Sequence, residues 1–147
     1  MSVTSQRLNL LRALTAGAKS RSGLSSFNHV DHELQELGRS IKVSPERRKH
    51  LLQVFHGVRA LETALKEVVR SHGFLPKNTL GGVLHQLSQF NVGHPAHLDR
   101  KELIRFSKNV KDARNKLMHQ ANVFPNSAKE ADSTLGEIAA CFALLVR

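Results

Sequence analysis

Apolar residues in this chain recur at intervals of three and four, and nowhere do they alternate with period two over a useful length. The longest run is Leu51, Phe55, Val58, Leu61, Leu65 and Val68. A helix turns about 100° per residue, so these side chains share one face over several turns. The same spacing returns in Leu8, Leu11 and Leu14, around Leu34 and Leu37, and in Leu80, Val83, Leu84 and Leu87. It returns again in Leu103, Phe106, Val110, Ala113 and Leu117, and finally in Ala131, Leu135, Ile138, Phe142 and Leu145. Each such helix must bury its stripe against another. The expected fold is therefore all-α, an antiparallel up-and-down bundle of four to five main helices.

Local signals set the breaks. A first helix is expected over residues 4–18, followed by a polar joint from Lys19 to Ser26, then a short helix over 29–41. Ser44-Pro45 reads as a helix start, with Ser44 capping free amides and Pro45 in the first helical position. Gly73 should end that helix, Asn78-Thr79 should cap the next, and Asp99 should open the one after. Pro125 breaks the chain, and Ser127 with Glu130 has the form of a capping box. The 147 residues suit one domain, with a core bundle over 44–147 and an N-terminal helical extension over 1–42. Whether that extension docks, reaches a partner, exchanges between subunits or serves as a targeting segment stays open at this level.

Charge narrows the function. The net charge of +10 favours a polyanionic partner, nucleic acid first, with an acidic protein or a membrane surface as alternatives. The excess concentrates between Asp99 and His119, where Arg100, Lys101, Arg105, Lys108, Lys111, Arg114 and Lys116 face only three carboxylates. No apolar stretch approaches the roughly 20 residues that cross a bilayer, so no membrane partner is expected. The single Cys141, set among Ala139, Ala140 and Phe142, reads as a small buried hydrophobe. With no disulfide framework possible within one chain, a cytoplasmic location is expected. His29-x-x-His32 and His94-Pro95-Ala96-His97 lack the Cys and carboxylate companions of a metal site. There is no Gly-rich phosphate loop, and neither a metal nor an organic cofactor is expected. Most Phe fall on core stripes, and Trp and Tyr are absent, so base-stacking platforms look scarce.

One short stretch carries chemistry: Arg114-Asn115-Lys116-Leu117-Met118-His119. On the helical wheel Arg114 falls inside the apolar stripe, between Val110, Leu117 and Met118. A guanidinium placed there must meet a carboxylate, line a wet cleft or bind an anion, because burying it alone costs several kcal/mol. Glu62, Glu137 and Asp132 are the candidate carboxylates, and His119 would then be a helix-ending residue favoured by the dipole. Lys108, Lys111 and Lys116 point sideways or outward and could follow a phosphate backbone. Five residues of ideal helix turn His119 roughly 140° from Arg114. Bringing the two together needs either a helix that ends near His119 or a second copy of the chain.

Arg114-Asn115-x-x-x-His119 resembles the signature of the HEPN superfamily, in which an Arg, a polar residue and a His close a helix of a small all-α bundle. Glu62-x-x-x-Lys66 resembles an acidic and basic pairing of some relatives, and is equally an ordinary i,i+4 ion pair. The resemblance implies a metal-independent endoribonuclease, often a toxin or defence protein, whose site is assembled across a homodimer. It makes Arg114 and His119 catalytic and Asn115 orienting, with RNA as substrate and an antitoxin or regulatory protein as a possible further partner. Toxins of this family governed by a nucleotidyltransferase antitoxin carry a Tyr two residues after the motif His. Here that position is Ala121 and the chain has no Tyr, which excludes that form of control. Two alternatives stand beside the nuclease: a non-catalytic HEPN-like RNA-binding or dimerisation module, and an unrelated basic helical adaptor.

Overall fold

The computed structural model describes residues 3–22, 27–119 and 128–146, and the side chains of residues 4–20, 27–115 and 128–146. The described residues form α1 (Val3–Ser22), α2 (Asn28–Ser40), α3 (Glu46–Ser71), α4 (Leu80–Ser88), α5 (Arg100–Phe106), α6 (Asp112–His119) and α7 (Ala128–Leu145), with no strand among them. A π-turn, Ser107–Lys111, joins α5 to α6 without a break, so the three make one continuous rod. The all-α bundle expected from the apolar spacing is what the chain forms.

Most helix ends follow their sequence signals. Thr79 Oγ1 accepts the Gly82 N–H at 3.0 Å and starts α4. Asp99 Oδ1 accepts the Glu102 N–H at 2.7 Å, and Glu102 returns the contact to the Asp99 N–H at 3.4 Å, a reciprocal box that starts α5. The amides gathered on the Asp99 carboxylate hold its pKa below the usual range. Gly73 closes α3 at φ 85°, which lets the Phe74 N–H reach the Val69 carbonyl at 3.3 Å. The start of α3 differs from expectation. Ser44 makes no capping bond; Pro45 occupies the cap position, with φ −72° and ψ 169°, and Glu46 is the first helical residue. Proline's restricted φ suits the extended cap conformation, and its carbonyl still accepts from Arg48 and Lys49. The Ser127 capping box lies outside the described residues.

The core is continuous. In α7 the five expected positions, Ala131, Leu135, Ile138, Phe142 and Leu145, are all buried. On α3 the buried set is wider than one stripe and takes in Val54, Ala60, Ala64 and Val69, because α2, α4 and α7 all pack against this helix. Burial of each such aliphatic side chain contributes roughly 1.5–3 kcal/mol. Gly57 marks a close approach of α3 to α7: a Cβ there would sit 2.8 Å from Leu135 Cδ2. The first helices join the same core through Leu8, Leu11, Val30, Leu34 and Leu37. Thr4 donates to Asp132 at 3.0 Å, fixing α1 to α7, and Lys19 pairs with Asp31 at 3.2 Å, fixing α1 to α2. Cys141 is fully buried, and burial pushes its thiol far above the ordinary range, so it stays protonated and inert. No helix among the described residues is long and apolar enough to cross a membrane.

Candidate functional site

The rod that carries the motif is held at its near end by chemistry remote in sequence. Arg105 donates to Glu137 of α7 through Nε at 2.8 Å and Nη2 at 3.1 Å, a two-point pair. Those donors hold the Glu137 carboxylate below its usual pKa. Phe106, just before the π-turn, and Val110, within it, enter the core. A π-turn amounts to one extra residue in the helix, so everything after it is rotated by about 100° from where a regular wheel would set it. Arg114 lies three residues past the turn and points to a cleft between α6 and α3, half-buried.

That cleft, about 320 Å³, is lined by Phe55, Val58, Arg59, Glu62, Thr63, Lys66 and Arg114. Its cations are unequally compensated. Lys66 Nζ lies 3.5 Å from Glu62 and donates to the Asn78 carbonyl at 2.9 Å. Arg59 donates from Nε to Glu33 at 2.8 Å, and the same carboxylate takes His56 Nδ1 at 3.0 Å. Arg59 also lies over the Phe55 ring, 5.4 Å from its centroid. Arg114 has no carboxylate within ion-pair distance among the described residues. Its Nη1 donates to Asn115 Oδ1, at 3.3 Å. The carboxylates considered for it are engaged elsewhere: Glu137 with Arg105, Asp132 with Thr4, Glu62 with Lys66. A half-buried guanidinium without an acidic partner among the described residues, beside two further cations and the Thr63 hydroxyl, is suited to hold a tetrahedral anion.

The expected site residues separate into groups. Arg114 and Asn115 meet as neighbours, the amide oxygen steadying the guanidinium. The backbone of His119 closes α6, and the side chains of His119 and Lys116 lie outside those described. Lys108 sits exposed in the π-turn. Lys111 lays its stem across Gly81 of α4, where a Cβ would come within 2.7 Å of Lys111 Cδ, so it flanks the rod away from the cleft wall. Glu62 and Lys66 form their i,i+4 pair and face Arg114 across the cleft as well.

Sequence reasoning missed Arg59 and Thr63. A signal was present: Phe55, Arg59, Glu62 and Lys66 repeat at four, three and four, a second helical stripe beside the apolar one. It also overstated how many Phe are buried. Phe27, Phe106 and Phe142 are in the core, whereas Phe55 and Phe90 are half-buried and Phe74 is exposed. Among the described residues no three His, Cys, Asp or Glu side chains gather as metal ligands. No family model, no curated protein and no solved structure matches this chain.

Proposed function

We propose that this protein cleaves RNA without a metal ion, using Arg114 and His119 at a site shared between two copies of the chain. The observation that carries the reading is Arg114: half-buried, turned to an open cleft, and with no carboxylate within ion-pair distance among the described residues. A structural arginine at such a position would be expected to carry an acidic partner, since an unpaired buried charge is costly. A phosphodiester supplies the missing negative charge.

The step needs three groups. A base removes the proton of the 2′-hydroxyl, whose oxygen attacks the adjacent phosphorus; the bond to the 5′-oxygen breaks, and an acid protonates that leaving oxygen. Imidazole titrates near neutral pH, so His119 of one or both copies suits either role. Arg114 stabilises the added charge of the pentacoordinate transition state through paired N–H donors. The products are a 2′,3′-cyclic phosphate and a 5′-hydroxyl. A role as a toxin or defence effector, held in check by a partner protein, belongs to the same reading and follows from the resemblance.

The test is cleavage of a single-stranded RNA in chelator by the wild type, Arg114→Ala and His119→Ala. The wild type should cut, and loss of Arg114 should slow cutting roughly 10²–10³-fold. If both variants cut as the wild type does, the assignment fails. Activity lost in chelator and restored by Mg²⁺ would refute the metal-free step. Binding without cleavage under every condition would favour the non-catalytic module.

A further inference from the structure

Beyond the end of α3, four rings gather outside the core. Phe74 and Phe90 have centroids 5.4 Å apart, Phe90 and His94 4.9 Å, and His72 and His94 4.5 Å. Three of them border a cleft of about 280 Å³ lined by Phe74, Gln86, Gln89, Phe90, Asn91 and His94. Phe74 is 55% exposed. Solvated aromatic surface of this kind marks a binding site more often than a structural need.

The cleft is held in shape from both sides. Gln86 donates to the Leu75 carbonyl at 2.9 Å and accepts from the Lys77 N–H at 3.1 Å, bracing the segment that carries Phe74. His94 Nδ1 accepts the Ala96 N–H at 3.0 Å, which puts the ring hydrogen of the neutral imidazole on Nε2. His97 Nδ1 lies 2.8 Å from the Phe90 carbonyl and donates to it. Phe90 is therefore fixed by backbone ties on its own loop, with the Gln89 and Asn91 amides at the rim.

The lining selects a planar heteroaromatic ligand: ring faces to stack on, amides to meet its polar edge, and no carboxylate. The chain's charge of +10 selects a polyanion to carry it. Position joins this cleft to the first. Lys66, in the Arg114 cleft, donates to the Asn78 carbonyl, and Asn78 is four residues from Phe74, a reach of at most about 14 Å. At roughly 3.4 Å per stacked nucleotide, about four nucleotides cover the Asn78–Phe74 leg, and the Lys66 leg to Arg114 adds to that.

We infer that the Phe74–Phe90–His94 cleft is a nucleobase subsite, taking a base of the single-stranded RNA whose phosphate lies at Arg114. The choice of RNA rests on the ribonuclease reading above. The stacking surface does not depend on that reading.

The test uses 2′-O-methyl RNA, which cannot be cut, with a single 2-aminopurine walked along it. The chain has no Trp or Tyr, so protein background is low. Stacking should quench the probe at one position a few nucleotides from the phosphate blocked by Arg114. Phe74→Ala should abolish that quench and weaken binding roughly 5- to 150-fold. Phe74→Trp should retain both, and Phe74→Leu should retain neither. Leu working as well as Phe would identify a generic apolar contact, as for a protein partner, and overturn the subsite. Unmodified RNA cut in an Arg114-dependent way, with quenching indifferent to Phe74, would also overturn the subsite while sparing the nuclease. Phe74-dependent quenching with no RNA cleavage would uphold the subsite and sink the nuclease.

Discussion

Arg114 shows how one side chain can be both well placed and poorly satisfied. Its neighbours in the cleft have partners, Lys66 with Glu62 and Arg59 with Glu33, while its own bond to Asn115 is neutral and 3.3 Å long. A residue kept for stability would lose stability when replaced. Arg114→Lys keeps the charge but gives up the planar fork, so cleavage should fall well below wild type. Thermal unfolding should meanwhile move by no more than about 0.5 kcal/mol, the range of ordinary surface substitutions. A large stability loss would mean that the guanidinium is structural after all. His72 gives a second prediction at this scale. Burial, and then the nearby His94, lowers its pKa in the folded protein. The unfolded chain therefore binds the proton more readily, so this contribution is complete above about pH 6.5 and is lost as pH falls through the lowered folded value. Melting followed between pH 7 and 5 should show a smaller decline for His72→Gln than for the wild type.

At the scale of elements the π-turn decides where the motif points. Inserting one alanine between Lys111 and Asp112, just past that turn, should carry Arg114 about 100° round the rod and out of the cleft. Helical content by circular dichroism should persist while cleavage is lost. Lys108→Ala, which removes the side chain but not the turn, should keep most activity. Helix identity was legible from the periodicity of α3, α4 and α7, and from punctuation at Thr79, Asp99 and Gly73, because those signals act within a few residues. The π-turn was not, since Ser107-Lys108-Asn109-Val110-Lys111 contains no residue that demands it. The turn coincides with tertiary demands, Phe106 and Val110 in the core and Arg105 on Glu137, 32 positions away in sequence. The candidate site divides similarly. Arg114 announced itself by standing on an apolar stripe and Arg59 left a trace in the second stripe of α3, whereas Thr63 became visible only once α3 lay beside α6. The Phe74–Phe90 cluster depends on two loops meeting, which no local pattern encodes.

On the proposed reading, the positive excess of the whole molecule is a long-range attractor for RNA, and the Arg114 cleft is a short-range selector. Affinity for RNA should fall steeply with salt, by a log–log slope of about −0.7 per phosphate contact on a single strand, and Lys108→Ala should reduce that slope if Lys108 follows the backbone. A site completed by a second copy makes a separate prediction. Specific activity should drop as the protein is diluted past the point where sedimentation shows dimers separating, and constant activity per chain through that range would assign the whole site to one protomer.

The bond between Thr4 and Asp132 joins positions 128 residues apart. At the ribosome's pace of roughly 5–20 residues per second, the two are synthesised some 6–25 s apart. Through that interval the side of α1 destined for α7 has no permanent cover, however quickly the intervening helices form. Translation itself thus sets the earliest moment at which the finished bundle can exist, and a nascent chain stalled before α7 is a natural client for a chaperone.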